Sequence, residues 1–295
     1  MKDFYKYLQV NREHPYRDLV VVNAGHTCIG PGTSYPPENH PSHHNFSYRK
    51  GRVIDEYQLV YISSGKGVLE TLHGGRFDIT SGDGFLLFPG EWHRYQPSVE
   101  QGWTENWVGF SGENSLISSA NTLLSRTRPF FRVGNESGVM NLLAKVFDLV
   151  KSDMVGSEYL LSGTVMHLLG HLFTLLKRQE LNINTRTDEI IVTAKSLMER
   201  QFSGKVSLEE IAAHLNISYA WFRKYFKKNT GFSPYDYLLN IRISHARTLL
   251  KNSGRSVKEI SHRCGFESQQ QFSRTFRKKT GQTPLQFRHY TLNGH

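Results

Sequence analysis

Cysteine is scarce in this chain: Cys28 and Cys264 are the only two in 295 residues. Two thiols so far apart exclude a disulfide framework and any four-cysteine or Cys2His2 zinc site, and they suit a reducing cytoplasm. Long apolar runs are missing as well. No uninterrupted stretch of about 18 apolar residues occurs, so no membrane span is expected. The opening stretch MKDFYKYLQVNREHPYRD has no apolar h-region, which argues against a secretory signal. Catalytic signatures are equally absent. There is no P-loop, dinucleotide fingerprint, nucleophile–base pair or metal triad, so neither an enzyme nor a cofactor is expected. What remains is a chain with 38% hydrophobic residues, enough for a real core, and a length that suggests two domains at about 150 residues each.

Positive charge is present in excess, and it is confined to one end. Residues 1–185 hold 17 Lys+Arg against 18 Asp+Glu, a net of −1, whereas residues 186–295 hold 19 against 8, a net of +11. A solvated basic surface is the bland explanation. A bias this local points instead to a polyanionic partner, double-stranded DNA above all. Leu181–Thr187 (LNINTRT) is a short polar stretch that reads as a linker, dividing a domain at 1–180 from one at 188–295.

The basic part repeats itself. SYAWFRKYFKKNTGFSP (218–234) laid over SQQQFSRTFRKKTGQTP (268–284) matches at seven of 17 positions with an offset of 50. Each copy follows a one-sided helix. Leu208, Ile211, Ala212 and Leu215 form the stripe of the first, and Val257, Ile260, Ser261 and Cys264 that of the second. Asn216 and Gly265 tolerate the left-handed backbone of a tight helix exit. Ser218 and Ser268 are placed to cap the next helix. Helix, tight turn and capped helix make a helix-turn-helix unit, here present twice.

In the second helix of each unit, Phe222/Phe226 and Phe272/Phe276 face the core. Ala220, Lys224 and Lys227, and Gln270, Arg274 and Arg277, occupy the opposite face, flanked by Tyr219, Arg223, Gln269 and Gln271. Any one of these alone would be an ordinary solvated position. The duplicated layout points to two recognition helices reading base edges, and Lys228 is a candidate phosphate contact. Between the copies, 233–253 reads as a long helix, apolar on more than one side, that spaces the units for successive major grooves about 34 Å apart.

Residues 188–290 resemble the DNA-binding domain of the AraC/XylS family of bacterial transcription regulators, most specifically in GFESQQQFSRTFRKKTGQTPLQFR (265–288). The resemblance implies base contacts from Tyr219, Ala220, Arg223 and Lys224 in the first unit and from Gln269, Gln270, Gln271 and Arg274 in the second. Some family members carry Trp where Ala220 stands, which changes readout by the first helix. The family also implies a homodimer and RNA polymerase as partners.

From Asp55 to Phe110 the pattern changes to short β-rich runs: Gln58–Ile62, Val68–Leu72, Arg76–Ile79, Gly84–Phe88 and Trp103–Phe110. Breaks at SSGKG (63–67), HGG (73–75) and SGDG (81–84) separate them, as in a small β-barrel. GDGFLLFPGEWHRY (82–95) resembles the second cupin motif, without the earlier H-x-H that binds metal. His93 is therefore expected to be structural or to touch a ligand, and the loop cluster His40, His43 and His44 is a poor metal site because two of the three are adjacent.

The stretch FLLFPGEWHRY…WTENWVGF (85–110) further resembles the sensor domain of arabinose-responsive regulators. That likeness aligns Tyr95 and Trp107 with sugar-contacting residues, puts Glu105 where a His serves, and leaves Arg49 or Arg52 to supply an arginine. An aromatic face stacks on a sugar ring while charged planar groups take paired hydroxyls. The bland alternative makes Trp107 barrel core.

Two helices follow, 137–152 and 157–179, with one side for the barrel and another for a second chain, so that their removal is expected to abolish dimers and spare the pocket. His167 and His171 are i,i+4 but lack a third ligand. Phe4, Tyr5, Tyr7 and Leu8 mark an aromatic N-terminal arm that the resemblance implies closes over the ligand.

The expected fold is α+β in two domains, a cupin-like barrel with two helices and then an all-α domain of two helix-turn-helix units. The expected function is a cytoplasmic DNA-binding regulator controlled by a small molecule, a sugar by resemblance. The competing readings are a barrel that only dimerises and a cupin-type enzyme with a DNA-binding tail.

Overall fold

A computed structural model describes residues 3–8, 18–36, 47–112, 123–152, 154–181 and 185–292. The chain divides into two compact units, 1–180 and 181–295.

Unit 1 is an antiparallel sheet folded over on itself. Its strands are β1 (Phe4–Tyr7), β2 (Val20–Ile29), β3 (Tyr57–Thr71), β4 (Gly75–Thr80), β5 (Asp83–Leu87), β6 (His93–Pro97), β7 (Trp103–Ser111) and β8 (Phe130–Arg132). The main layer runs β1-β2-β7-β3-β5-β8. The second half of β3 leaves that layer and pairs with β4 and β6 instead. SSGKG (63–67), expected as a break, is therefore the corner of one 15-residue strand. Gly65 sits there at φ +87°, and a Cβ on it would strike the carbonyl of Gly102. The Gly-rich signal was real, but it marks a bend between layers, where a strand needs glycine as much as a turn does.

Two helices, α1 (Ser137–Ser152) and α2 (Ser157–Glu180), cover the main layer. Strand alternation then sends side chains into two separate cores. Leu59, Tyr61, Leu86, Val108 and Phe110 point to the helices and meet Leu143, Val146, Phe147, Leu168 and Leu172. Val60, Ile62, Phe85, Leu87, Trp103 and Trp107 point into the fold and meet Leu69, Ile79 and Tyr95 from the smaller layer. With both faces buried, β7 loses the alternating pattern that identifies a half-exposed strand.

One expectation changes here. The helix pair is not detachable. Leu161, Val165, Leu168, Leu169, Leu172, Phe173 and Leu176 of α2 are all buried on the sheet and α1. At about 1.5–3 kcal/mol each, their burial is on the order of 10–20 kcal/mol, as large as a domain's whole stability. Deleting 137–180 would unfold the unit rather than spare its pocket. The most apolar 18 residues of α2 also average a hydropathy of 1.4, long and apolar enough to span a membrane by length and composition alone. Gly, Ser, Thr and His interrupt the run, and its apolar stripe is spent on the core.

Residues 4–7 of the N-terminal arm form an edge strand of the sheet. β1 pairs with β2 from Phe4↔His26 to Tyr7↔Asn23. Phe4 packs edge-on against Phe147 at 6.4 Å under the Lys151 ammonium, and Lys6 Nζ donates to the Val150 carbonyl at 3.2 Å.

Unit 2 is all helical: α3 (Thr185–Gln201), α4 (Leu208–His214), α5 (Tyr219–Thr230), α6 (Pro234–Asn252), α7 (Val257–Arg263), α8 (Gln269–Thr280) and α9 (Pro284–Leu292). Thr185–Thr187, expected in the linker, form the first turn of α3. α6 serves both halves. Its Leu238 joins the first core, and its Leu239, Ile243, Ala246 and Leu250 join the second. Arg242 ties the halves together, donating from Nε to Phe202 O and from Nη2 to Gly204 O, both at 2.9 Å, while its guanidinium lies over Phe266.

Candidate DNA interface and ligand site

The two helix-turn-helix units are α4–α5 and α7–α8. Asn216 and Gly265 leave the first helix of each with positive φ, 53° and 75°. Ser218 accepts from Trp221 N and Ser268 from Gln271 N, both at 3.2 Å, and Gly231 and Gly281 close the helices in the left-handed conformation. Phe222–Phe226 and Phe272–Phe276 are T-shaped pairs at 5.4 and 5.5 Å. The repeat reaches one helix further than the sequence comparison carried it: Tyr237 packs on Phe226 at 5.3 Å as Phe287, 50 residues on, packs on Phe276 at 5.4 Å.

With the phenylalanines buried, α5 leaves Ala220, Arg223 and Lys224 exposed, and α8 leaves Gln269, Gln270, Gln271 and Arg274 exposed. Tyr219 is half-buried against the first core, and Arg223 leans over its ring at 5.9 Å. Gln271 Oε1 accepts from Glu267 N at 3.2 Å, so its carbonyl supports the turn. Lys228 Nζ donates to Leu181 O at 3.0 Å, which turns it toward the start of the unit and makes Lys224 and Lys227 the better phosphate candidates.

In unit 1, polar side chains converge inside the apolar interior. β6 contributes His93 and Tyr95, two residues apart and so on one face. β7 contributes Trp103, Glu105 and Trp107 by the same alternation. Arg52, in an isolated bridge with His93, reaches across them. Its Nη2 donates to Tyr95 Oη at 2.8 Å and its Nε to His93 Nε2 at 3.3 Å. His93 Nδ1 is 3.1 Å from the Glu91 carbonyl. That leaves one consistent protonation, with the proton on Nδ1 and the lone pair on Nε2 facing Arg52. Burial, with the Arg52 charge acting in the same direction, holds the imidazole neutral by pushing its pKa down to about 3.

On the opposite side, Tyr35 Oη donates to Glu105 Oε2 at 3.0 Å. Burial pushes the Glu105 carboxyl up to about 7, against the Tyr35 hydrogen bond and the Arg52 charge, which favour the anion. Trp103 Nε1 is buried and leans toward the same carboxylate without completing a well-formed hydrogen bond among the described residues. Trp107 lies against Gly25, its register partner in β2, where any Cβ would strike the indole.

Arg52, His93, Tyr95 and Glu105 thus come together, with Trp107 in the same core. Arg49 does not join them, because it is exposed on the turn that precedes the Arg52 bridge. Sequence reasoning missed Tyr35, whose only local signal is the Tyr-Pro-Pro run. Tyr7, expected in the arm that closes over the ligand, lies on the face opposite Phe4 and Lys6 by strand alternation, within the field of Arg52 and Tyr95. His40, His43 and His44 lie outside the described residues. Among the described residues no three His, Cys, Asp or Glu side chains are grouped to hold a metal ion. His167 is exposed and His171 sits 4.0 Å from Glu136.

Comparison with known proteins matches residues 32–186 to the AraC-like ligand binding domain and residues 211–290 to a helix-turn-helix domain. The chain is 29% identical over 244 residues to the Msm operon regulatory protein of Streptococcus mutans, covering 80% of this chain and 85% of that protein. It is 24% identical over 245 residues to the raffinose operon transcriptional regulatory protein RafR of Pediococcus pentosaceus, covering 83% and 88%. Among solved structures, the C-terminal domain of AraT from Geobacillus stearothermophilus is 32% identical over 34% of this chain and 84% of that one, with a TM-score of 0.33.

Proposed function

The chain belongs to the AraC/XylS family of DNA-binding transcription regulators with a ligand-binding domain, and from that premise we propose that it is a cytoplasmic homodimer that switches transcription in response to a neutral sugar. The observation that carries this reading is the pairing, on one chain, of twin capped helices with exposed Arg and Gln faces and a second unit whose apolar interior holds Arg52, Tyr95, Tyr35 and Glu105. Relatives named for the raffinose and lactose operons support a sugar. Both of those sugars carry a galactosyl unit, which makes galactosides the first compounds to try. The relatives are regulators, which supports a binding rather than a catalytic role. RNA polymerase is the partner that a regulator of this kind recruits or blocks.

The homodimer rests on α2. Tyr159 and Leu160 in its first turn, with Met154 and Val155 just before it, are exposed large apolar side chains. Large apolar side chains left exposed near one another in the chain favour an interaction surface there.

The test is fluorescence anisotropy of promoter DNA with the full chain, with and without sugar. Salt-dependent binding that sugar modulates supports the reading. DNA binding indifferent to every sugar would reduce the sheet unit to a dimerisation module. Leu160→Asp tests the dimer by sedimentation, with the pocket left intact.

A further inference from the structure

Glu105 is a carboxylate buried to 6% exposure in an apolar interior, and the contacts around it satisfy only part of it. An ionised carboxylate offers about four acceptor positions. Tyr35 takes one of them. The groups whose charge or hydrogen bonds reach Glu105 are Tyr35 beyond β2, Arg52, Trp103 on β7 itself, Tyr95 on β6, and Asp3 ahead of β1. Asp3 is engaged elsewhere, accepting from Cys28 N at 2.9 Å. On the same face of β7, two residues away, the buried Trp103 indole N–H leans toward the Glu105 carboxylate but makes no well-formed hydrogen bond among the described residues. A buried donor without a well-formed bond, beside a partly satisfied buried acceptor, costs free energy until a ligand binds, on both counts. A bound molecule that answers both would recover it.

We infer that Tyr35, Glu105 and Trp103 form the specificity-determining end of the site, and that this end selects a neutral polyol by accepting two adjacent hydroxyls on Glu105 while rejecting the corresponding sugar acid. The inference rests on the sugar reading given above and names what the pocket distinguishes. Two hydroxyls on neighbouring carbons match the two oxygens of one carboxylate. A ligand oxygen facing Trp103 takes the indole N–H. Arg52, fixed by His93 and Tyr95, completes the opposite side as a donor. A ligand carboxylate placed at this end would set two anions together in a buried site, which is costly. The hydroxyl donors bind the ionised form of Glu105, so binding also expels whatever proton the carboxyl holds beforehand.

The experiment is isothermal titration of the full chain with D-galactose, melibiose, raffinose, lactose and L-rhamnose, and with D-galacturonate as the acid counterpart. Each is run at pH 7 in two buffers of different ionisation enthalpy. The wild type is expected to bind a neutral sugar at least tenfold more tightly than galacturonate and to release a fraction of a proton. Glu105→Gln is expected to lose tenfold or more in that affinity, to narrow the discrimination and to release no proton. Tyr35→Phe keeps the carboxylate, so it is expected to retain the discrimination and to release more proton, because its Glu105 starts out more protonated. Melting curves establish that both variants fold.

A wild type that binds a neutral sugar, with Glu105→Gln matching it in affinity, discrimination and proton release, overturns the inference while the sugar reading stands. Preference for galacturonate also overturns it. A wild type that binds none of the sugars overturns the sugar reading, and this inference with it.

Discussion

The helical unit and the sheet unit build their cores across very different sequence distances. In the helical unit, Phe222 meets Phe226 and Phe272 meets Phe276, four residues apart on one helix turn. The next partners, Tyr237 and Phe287, come 11 residues later in each copy. In the sheet unit, Tyr35 meets Glu105 across 70 positions, and Arg52 meets Tyr95 across 43. Local contacts assemble as the chain assembles, whereas distant ones wait for the sheet to close. The helical unit should therefore tolerate substitution outside its few core aromatics, and the sheet unit should respond to changes anywhere in its network.

The sharpest way to break this comparison is at the twin cores. Phe222→Ala and Phe272→Ala each remove a side chain with no exposure from matched surroundings. Each should cost about 3–5 kcal/mol, since the surrounding helices relax only in part around the cavity. Denaturant melts of the full chain should show the loss in the transition of the helical unit alone. A simultaneous loss in the sheet transition would mean that the two units fold as one.

Glu105 gives the next effect, of opposite sign. Its pKa rises from 4.5 in the unfolded chain to about 7 in the folded one, so the folded state holds the proton more tightly. Stability from this group is fully present below pH 4.5 and is lost as pH rises to 7. Glu105→Gln should therefore stabilise the ligand-free protein at pH 8 by about 3 kcal/mol, an advantage that vanishes by pH 4.5. His93 runs the other way. Its pKa falls from 6.5 to about 3, so the neutral ring contributes stability above pH 6.5 that is lost as pH falls. The two slopes oppose each other between pH 4.5 and 6.5, and the wild type should look flat there. Thermal melts across that range check it. A Glu105→Gln variant as pH-insensitive as the wild type would remove Glu105 from the account.

How much of this was visible in the residues follows the same division. The 50-residue offset, the serine caps, the left-handed Asn216 and the core phenylalanines are all short-range signals, and the structure repeats them nearly position for position. α1 and α2 also emerged with the expected bounds, apart from one residue at Glu180. The sheet was harder. β1, β2, β6 and β8 were not identified as strands. β7 was read from its β-rich run, Trp103–Phe110, although burial of both its faces erases the alternation. Arg49 and Arg52 could not be separated by spacing, since only the bridge to His93 decides between them. Tyr35 was invisible because its role is set by where β7 lies, 70 residues away.

Base reading supplies a smaller effect and sets the two helices against each other. Arg274→Ala should lose about 1–3 kcal/mol on the specific site and relax preference at one base pair. Lys227→Ala should weaken specific and random DNA alike and lower the salt slope by about one. Competition assays at two salt concentrations separate the two outcomes. Equal losses on both DNAs for Arg274→Ala would move that residue to the phosphate backbone.

The smallest effect compares the caps of the recognition helices. Ser218 and Ser268 accept hydrogen bonds of the same length, 3.2 Å, from the third residue of α5 and α8. Ser218→Ala and Ser268→Ala should therefore cost the same, about 1 kcal/mol, through one unsatisfied N–H each. Their effects on DNA should differ. Each cap aims the first turn of its helix, and those turns carry different groups: Tyr219 and Ala220 in one, Gln269 and Gln270 in the other. Tyr219 is partly spent on the core and Ala220 has no polar group, so loosening α5 leaves little base contact to lose. Gln269 and Gln270 are exposed at the start of α8, so Ser268→Ala should reduce specific affinity severalfold more than Ser218→Ala at equal stability. Matched chemical melts and binding titrations of the two variants decide it. If the two caps weaken DNA equally, α5 reads bases as strongly as α8, and Arg223 and Lys224 rather than the first turn must carry its share.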